Sequence, residues 1–395
     1  MSKIFFPYIY HGSIAHKYYI NMGYRVGHNG PPQKFSTIFS TGIRELYDGE
    51  FESAYMRLLD QLLLYETCMI PVEDVIYLIG ILGYEDTMKI IESSGVKLYD
   101  ALSNRIGMYY GPNNIISVFS EKQPENSQSI SRRIDGVLAP LKQKISFDEK
   151  WRENIIDLFR DAYFINDVNH LFKLTEKDFF KDFDNEKIKQ ILEVSPTVTS
   201  VNLSEQQIKV NRLLHFHYYK RISELLKCDY MFVPVELEGL YDFYAAEVSS
   251  SKDNLDSIFS QIIKLERIPD IPKLLDDGIL NVDDILEIRK SKEAVKFRQW
   301  IDRLSKTNVT EEDPEVYAKL YHEACLSNSK FKKTYNSKSG SALRSIGLLS
   351  VGTINPVIGA GVTIIDYLIS NGLNNYNPSN FTRDKLREKI QHKIK

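Results

Sequence analysis

The densest group of reactive side chains in this chain of 395 residues is Asn211-Arg212-Leu213-Leu214-His215-Phe216-His217. As metal ligands the two histidines are badly spaced. Residues two apart on a helix point roughly 200° away from each other, whereas one ion needs histidines four apart on one face. What remains is Arg212 with His217, an Arg-x4-His spacing inside an amphipathic stretch. The plain alternative is that Arg212 and both histidines are partly buried helix residues whose nitrogens are satisfied locally. Elsewhere His11 and His16 flank a Gly-Ser pair, and Arg25 and His28 precede Gly30 and two prolines, with no known constellation. Paired acids recur at Glu236 with Glu238, Asp276 with Asp277 and Asp283 with Asp284. They read as helix starts or solvated loops, since a two-metal site needs carboxylates converging from separate elements.

Several chemistries lack their motif. There is no Gly-x-Ser-x-Gly elbow, no GxxxxGK[ST] loop and no GxGxxG turn after a strand, which speaks against a nucleotide-driven machine. Cys68, Cys228 and Cys325 stand far apart with no CxxC pair, a pattern for a reducing compartment rather than a disulfide framework or zinc site. No cofactor is expected.

Two resemblances bear on function. The Arg-x4-His spacing of Arg212 and His217 resembles the motif of HEPN-type ribonucleases. That likeness implies RNA as a partner and a homodimer in which the arginine and histidine act on the RNA backbone. Leu213 departs from the family, which has a polar residue straight after the arginine. The block RIPDIPKLLDDGILNVDDILEIRKSKEAVKFRQWIDRL, Arg267 to Leu304, is similar to uncharacterised bacterial proteins, some carried on mobile elements. Its notable residues are Pro269, Pro272, Gly278, Arg289, Phe297, Arg298 and Trp300. This second likeness implies a role in antiphage defence, as an association without a mechanism.

Charge is unevenly placed. From Lys330 onward there are 11 Lys or Arg against three acids (Asp366, Asp384, Glu388), a net of +8, so the preceding residues carry −11 of the whole-chain −3. Within the basic part, Ser345 to Ile365 runs 21 residues without a charge. That length would cross a hydrocarbon layer, but Asn355-Pro356 at its middle breaks a continuous helix. The expectation is therefore a hairpin of two short helices, 342–353 and 357–370, closing through Gly347, Gly352, Gly359 and Gly361 around Pro356. It is either soluble core or a membrane-active segment spanning 342–371. Lys330, Lys332 and Lys333, with Phe331 and Tyr335 between them, would meet lipid headgroups, nucleic-acid phosphates or a protein partner. Phe381 to Ile394 reads as a basic amphipathic helix packing through Phe381, Leu386 and Ile390.

The positioning elements follow from periodicity. Ile4 to Tyr10 reads as a strand, Ser40 to Leu59 as a helix, and Leu62 to Ile70, ended by Pro71, as a buried strand. Val72 to Leu82 and Tyr84 to Ile91 read as short helices split by Gly83, with Val96 to Tyr99 returning beside Leu62 to Ile70. Helices then dominate: Ile134 to Ile145, Asp148 to Phe164, Glu176 to Phe183, Asn185 to Leu192, Ser204 to Leu226, and a long one after Asn281. Asn281 followed by Asp283 and Asp284 is a helix-start signal. The fold class expected is mainly α with α+β character. It comprises a mixed α/β region over 1–125, a helical domain over 126–326, and a basic linker, hairpin and terminal helix over 327–395. The N-terminus has no apolar stretch of secretory length, so a cytoplasmic protein is expected, membrane-associated only if the hairpin makes it so. The function expected is that of a bacterial sensor, regulator or effector acting through protein contacts or a homo-oligomer. The ribonuclease is the alternative, and a metabolic enzyme is not expected.

Overall fold

The computed structural model describes residues 2–6, 51–100, 104–110, 116–122, 127–138, 147–165, 168–194, 205–232, 239–241, 243–244, 259, 262–263, 266–305, 321, 325 and 376–394. They form a mainly α protein with a small α/β part. Two compact units emerge, one drawn from Met56–Glu66 with Ser249–Lys395, the other from Ser2–Tyr55 with Thr67–Val248.

The second unit holds a parallel sheet of β1 (Lys3–Phe5), β2 (Thr67–Pro71), β3 (Val96–Asp100), β6 (Tyr163–Phe164) and β7 (Tyr230–Met231) in the order β6-β3-β2-β1-β7. From β1 the chain adds strands on one side through β6, then places β7 on the other side, so the winding reverses at β1. Ile4, Phe5, Cys68, Met69, Ile70, Val96 and Tyr99 are all buried, the continuous apolar reading expected of strands covered on both faces. A separate antiparallel pair, β4 (Asn104–Tyr110) with β5 (Ile116–Lys122), occupies the stretch before residue 125. Glu121 and Lys122 end β5, and a helix starts at Ser127.

Helix α1 (Phe51–Leu64) runs further than expected, and β2 starts only at Thr67. Leu58, Leu59, Leu62 and Leu63 bury one stripe at helical spacing, so the apolar run from Leu62 belongs partly to a helix. Helix α2 (Asp74–Leu82) follows β2 directly and is buried nearly all round, through Val75, Ile76, Tyr77, Leu78 and Ile79. Gly83, at φ 83°, turns the chain into α3 (Tyr84–Glu92) and then β3, which lies parallel beside β2. Four more helices complete this unit: α4 (Ser127–Leu138), α5 (Arg152–Asp161), α6 (Val168–Phe183) and α7 (Glu186–Val194). The long α8 (Glu205–Leu225) then packs on α6.

In the other unit, α9 (Ile271–Asp276) begins after Arg267, which at φ 52° ends the preceding turn, and carries a proline in its first turn. The expected long helix after Asn281 is two helices, α10 (Val282–Lys290) and α11 (Lys292–Ser305). Ser291 breaks it by adopting extended backbone and accepting the Ala294 N–H on its hydroxyl at 3.1 Å. A terminal helix, α12, combines Ser379–Phe381, a π-helical Thr382–Arg387 and Glu388–Ile394. Phe381, Leu386 and Ile390 are buried as expected, and Phe381 stacks on Phe297 with ring centroids 4.6 Å apart.

Candidate functional site

At the carboxyl end of the sheet, β2 passes through Val72 into Glu73 and Asp74, the entry to α2, and β3 ends on Asp100. These three acids lie almost completely buried. Arg133 of α4 reaches across to two of them. Its guanidinium donates to both oxygens of Asp100 at 2.8 and 2.9 Å, and to Glu73 Oε1. The same guanidinium lies 4.9 Å above the Phe159 ring. A bidentate fork of this kind fixes carboxylates in place as well as neutralising them.

The electrostatics single out Asp74. Burial, with the neighbouring Glu73 charge added, pushes its carboxyl well above the usual carboxylate range. Its side chain is 4% exposed, and Oδ1 has no hydrogen-bond partner among the described residues. Leaving a buried polar atom unpaired costs about 1–3 kcal/mol. Glu73 is also raised by burial, against the pull of Arg133, and the Asp100 charge adds to the rise. On Arg133 the cost of burial is outweighed by Glu73 and Asp100, which hold the guanidinium charged.

Tyrosines complete the surroundings. Tyr77 lies one turn along α2, and both Tyr77 and Tyr99 have hydroxyls pushed up by burial and by the Asp74 charge. Tyr99 donates to the Phe6 carbonyl at 2.9 Å, tying the end of β1 to β3. From α8, Tyr218 is raised by burial and then by Asp100 and Glu73. The set gathers carboxyl groups, one held guanidinium and tyrosine side chains beyond the carboxyl ends of β2 and β3.

The expected site residues lie elsewhere. His217 is 1% exposed, with Nε2 3.2 Å from Asp182 Oδ2 and 3.3 Å from the Tyr244 hydroxyl. Tyr244 also donates to Asp182, and Lys220 sits 4.8 Å over the Tyr244 ring. Burial pushes Asp182 up, but the hydrogen bonds from His217 and Tyr244 outweigh it and hold the carboxyl below its ordinary value. Nε2 is thus held locally, while the buried Nδ1 has no hydrogen-bond partner among the described residues. Arg212 falls in α8, and its side chain lies outside the described residues.

Lys330, Lys332, Lys333, Gly347, Gly352, Pro356, Gly359 and Gly361, and the hairpin of 342–371, also lie outside the described residues. Of the basic terminal helix more can be said. Arg383 forks onto Glu266 at 2.6 and 2.8 Å, while Lys389 and Lys393 reach Asp284 at 3.3 and 3.0 Å. Much of its charge is thus spent within its own unit. All three cysteines are free; burial raises the Cys228 thiol to about 12 and lifts Cys325 as well, so neither is poised as a nucleophile. Among the described residues no three His, Cys, Asp or Glu side chains could hold a metal ion, and no helix is long and apolar enough to cross a membrane.

Glu73, Asp74, Asp100 and Arg133 were missed by motif reading. The available signal was positional: two acids immediately after a buried apolar strand, at a strand-to-helix turn. No family model, curated protein or solved structure matches this chain, so fold and site rest on their own geometry.

Proposed function

We propose that this chain is a ligand-responsive sensor or regulator. Its sheet-bearing unit takes a small polar molecule at the carboxyl ends of β2 and β3, and the occupied state is passed on through protein contacts. The observation that carries this reading is the buried Asp74 oxygen without a described partner, next in sequence to Glu73, which Arg133 clamps together with Asp100. A cluster kept for stability alone would place partners on that oxygen, since each unmade hydrogen bond works against folding. The position supports the same reading, because open α/β sheets bind ligands outside the carboxyl ends of their strands. A role in bacterial antiphage defence is supported by the resemblance of Arg267 to Leu304 alone.

The test is a thermal-shift panel of amines, polyols, nucleosides and phosphates on the full chain and on Asp74→Ala. At least one class is expected to raise the melting temperature of the wild type but not of the variant. A flat panel with a variant less stable than the wild type would mark the cluster as purely structural.

A further inference from the structure

We propose that the helical residues 239–241 and 243–244 form a strap that opens locally, without unfolding of the sheet-bearing unit, and that the Tyr244 hydroxyl is its fastening. That unit ends at Val248, so the strap is its last described piece before the chain passes to the other unit. The device stands apart from the carboxyl cluster at β2 and β3.

Three helices hold the strap, each by a different contact. Gly239 lies so close to α7 that a Cβ there would sit 2.8 Å from Ile191 Cγ2, a branched methyl with little rotamer freedom. The Tyr244 ring stacks on Phe216 of α8 with centroids 4.9 Å apart, and Lys220 of the same helix puts its ammonium 4.8 Å from the ring. The Tyr244 hydroxyl donates to Asp182 of α6 and lies 3.3 Å from His217 Nε2. Asp182 and His217 also meet each other, at 3.2 Å between α6 and α8, so their contact persists when Tyr244 leaves. The hydroxyl is an addition to a contact that the two helices make without it.

The closed state carries a cost of its own. His217 Nδ1 is buried without a hydrogen-bond partner among the described residues, and the Tyr244 ring packs edge-on against the imidazole with centroids 5.5 Å apart. A buried polar atom left unpaired opposes the state that buries it, and departure of Tyr244 opens a way for water to reach it. A segment held by few contacts against such a cost belongs to the low-stability end of a structure, where local opening precedes global unfolding. A buried polar fastening also returns the segment to one register, which apolar surface alone does less well.

The experiment is hydrogen exchange read by mass spectrometry on the full chain, in urea below the unfolding transition. Peptides covering 239–244 are expected to exchange at a rate that urea barely changes, because local opening exposes little surface. Peptides from α8 should follow the urea-dependent global route. Tyr244→Phe keeps the stacked ring and removes the hydroxyl, and it should speed exchange in 239–244 by about tenfold or more with the flat urea response kept. Gly239→Ala, which wedges the other end of the strap from Ile191, should speed the same peptides. Ile155→Val trims the core at α5 and should speed α8 while leaving 239–244 unchanged. Equal urea dependence of 239–244 and α8 in the wild type overturns the inference, since the segment then opens only with its unit; this comparison decides by itself if a variant fails to fold. Equal acceleration of both regions in Ile155→Val, or unchanged exchange of 239–244 in Tyr244→Phe, overturns it as well.

Discussion

Asp74 and Asp284 are both buried acids in the first turn of a helix, yet they are held on opposite sides of the ordinary carboxylate value. Asp74 is raised by burial and by Glu73; for Asp284 burial is outweighed by Lys393, the Asn281 N–H and Lys389. The consequences for stability have opposite signs. A raised folded value means the native state holds the proton longer than the unfolded chain, so stability falls as pH rises above about 3.8. Asp74→Asn removes that loss, and urea titrations between pH 4 and 8 should show the variant gaining on the wild type as pH rises. For Asp284 the contribution is present above about 3.8 and lost as pH falls through its lower folded value. His217 belongs at this scale too. His217→Ala should cost about 1–3 kcal/mol in urea unfolding, because it strips a partner from buried Asp182. The same variant tests the ribonuclease alternative: RNA cleavage that vanishes without loss of folding would support that reading.

Among elements, the end of α1 and the start of α10 show two ways of satisfying helix termini. At α10 the signal is local. Asn281 accepts the Asp284 N–H at 2.9 Å, and the Asp284 side chain accepts the Asn281 N–H at 3.2 Å, a reciprocal cap readable from residues three apart. Asn281→Ala should cost about 1 kcal/mol of stability by chemical denaturation. At α1 the partner is remote. Arg289 donates to the carbonyls of Leu62, Tyr65 and Glu66, and Arg298 in turn donates to the Arg289 carbonyl with both terminal nitrogens at 3.2 Å. Arg289→Ala would leave several buried carbonyls unpaired and should cost about 2–4 kcal/mol, with little rescue by lysine, whose single ammonium cannot span the fork. Denaturation of the two variants side by side measures both. The notable arginines of the 267–304 block thus have a structural task, as do Phe297 and Trp300, which are buried beside Tyr321 and Phe381.

For the whole molecule, the terminal helix matters more than its exposed charge implies. Phe381, Leu386 and Ile390 are core residues, and Tyr321 bonds both Glu266 and Thr382 at 2.9 and 2.6 Å. Removing residues 376–395 should therefore unfold the unit drawn from Met56–Glu66 and Ser249–Lys395, seen as lost protection in limited proteolysis. A liposome-flotation test of the 342–371 hairpin is better made with Ile354→Asp in the full chain than with a C-terminal truncation. The sequence by itself determined the mainly helical class, the Asn281 cap and the packing face of the last helix. Each of these depends on residues within a few positions of one another, where periodicity and capping act. Tertiary structure alone decided the order β6-β3-β2-β1-β7, the Arg289 cap on α1 and the gathering of Glu73, Asp74, Asp100 and Arg133. Parallel strands and buried ion pairs join positions tens to hundreds of residues apart, and the burial that raises Asp74 exists only once those positions have met.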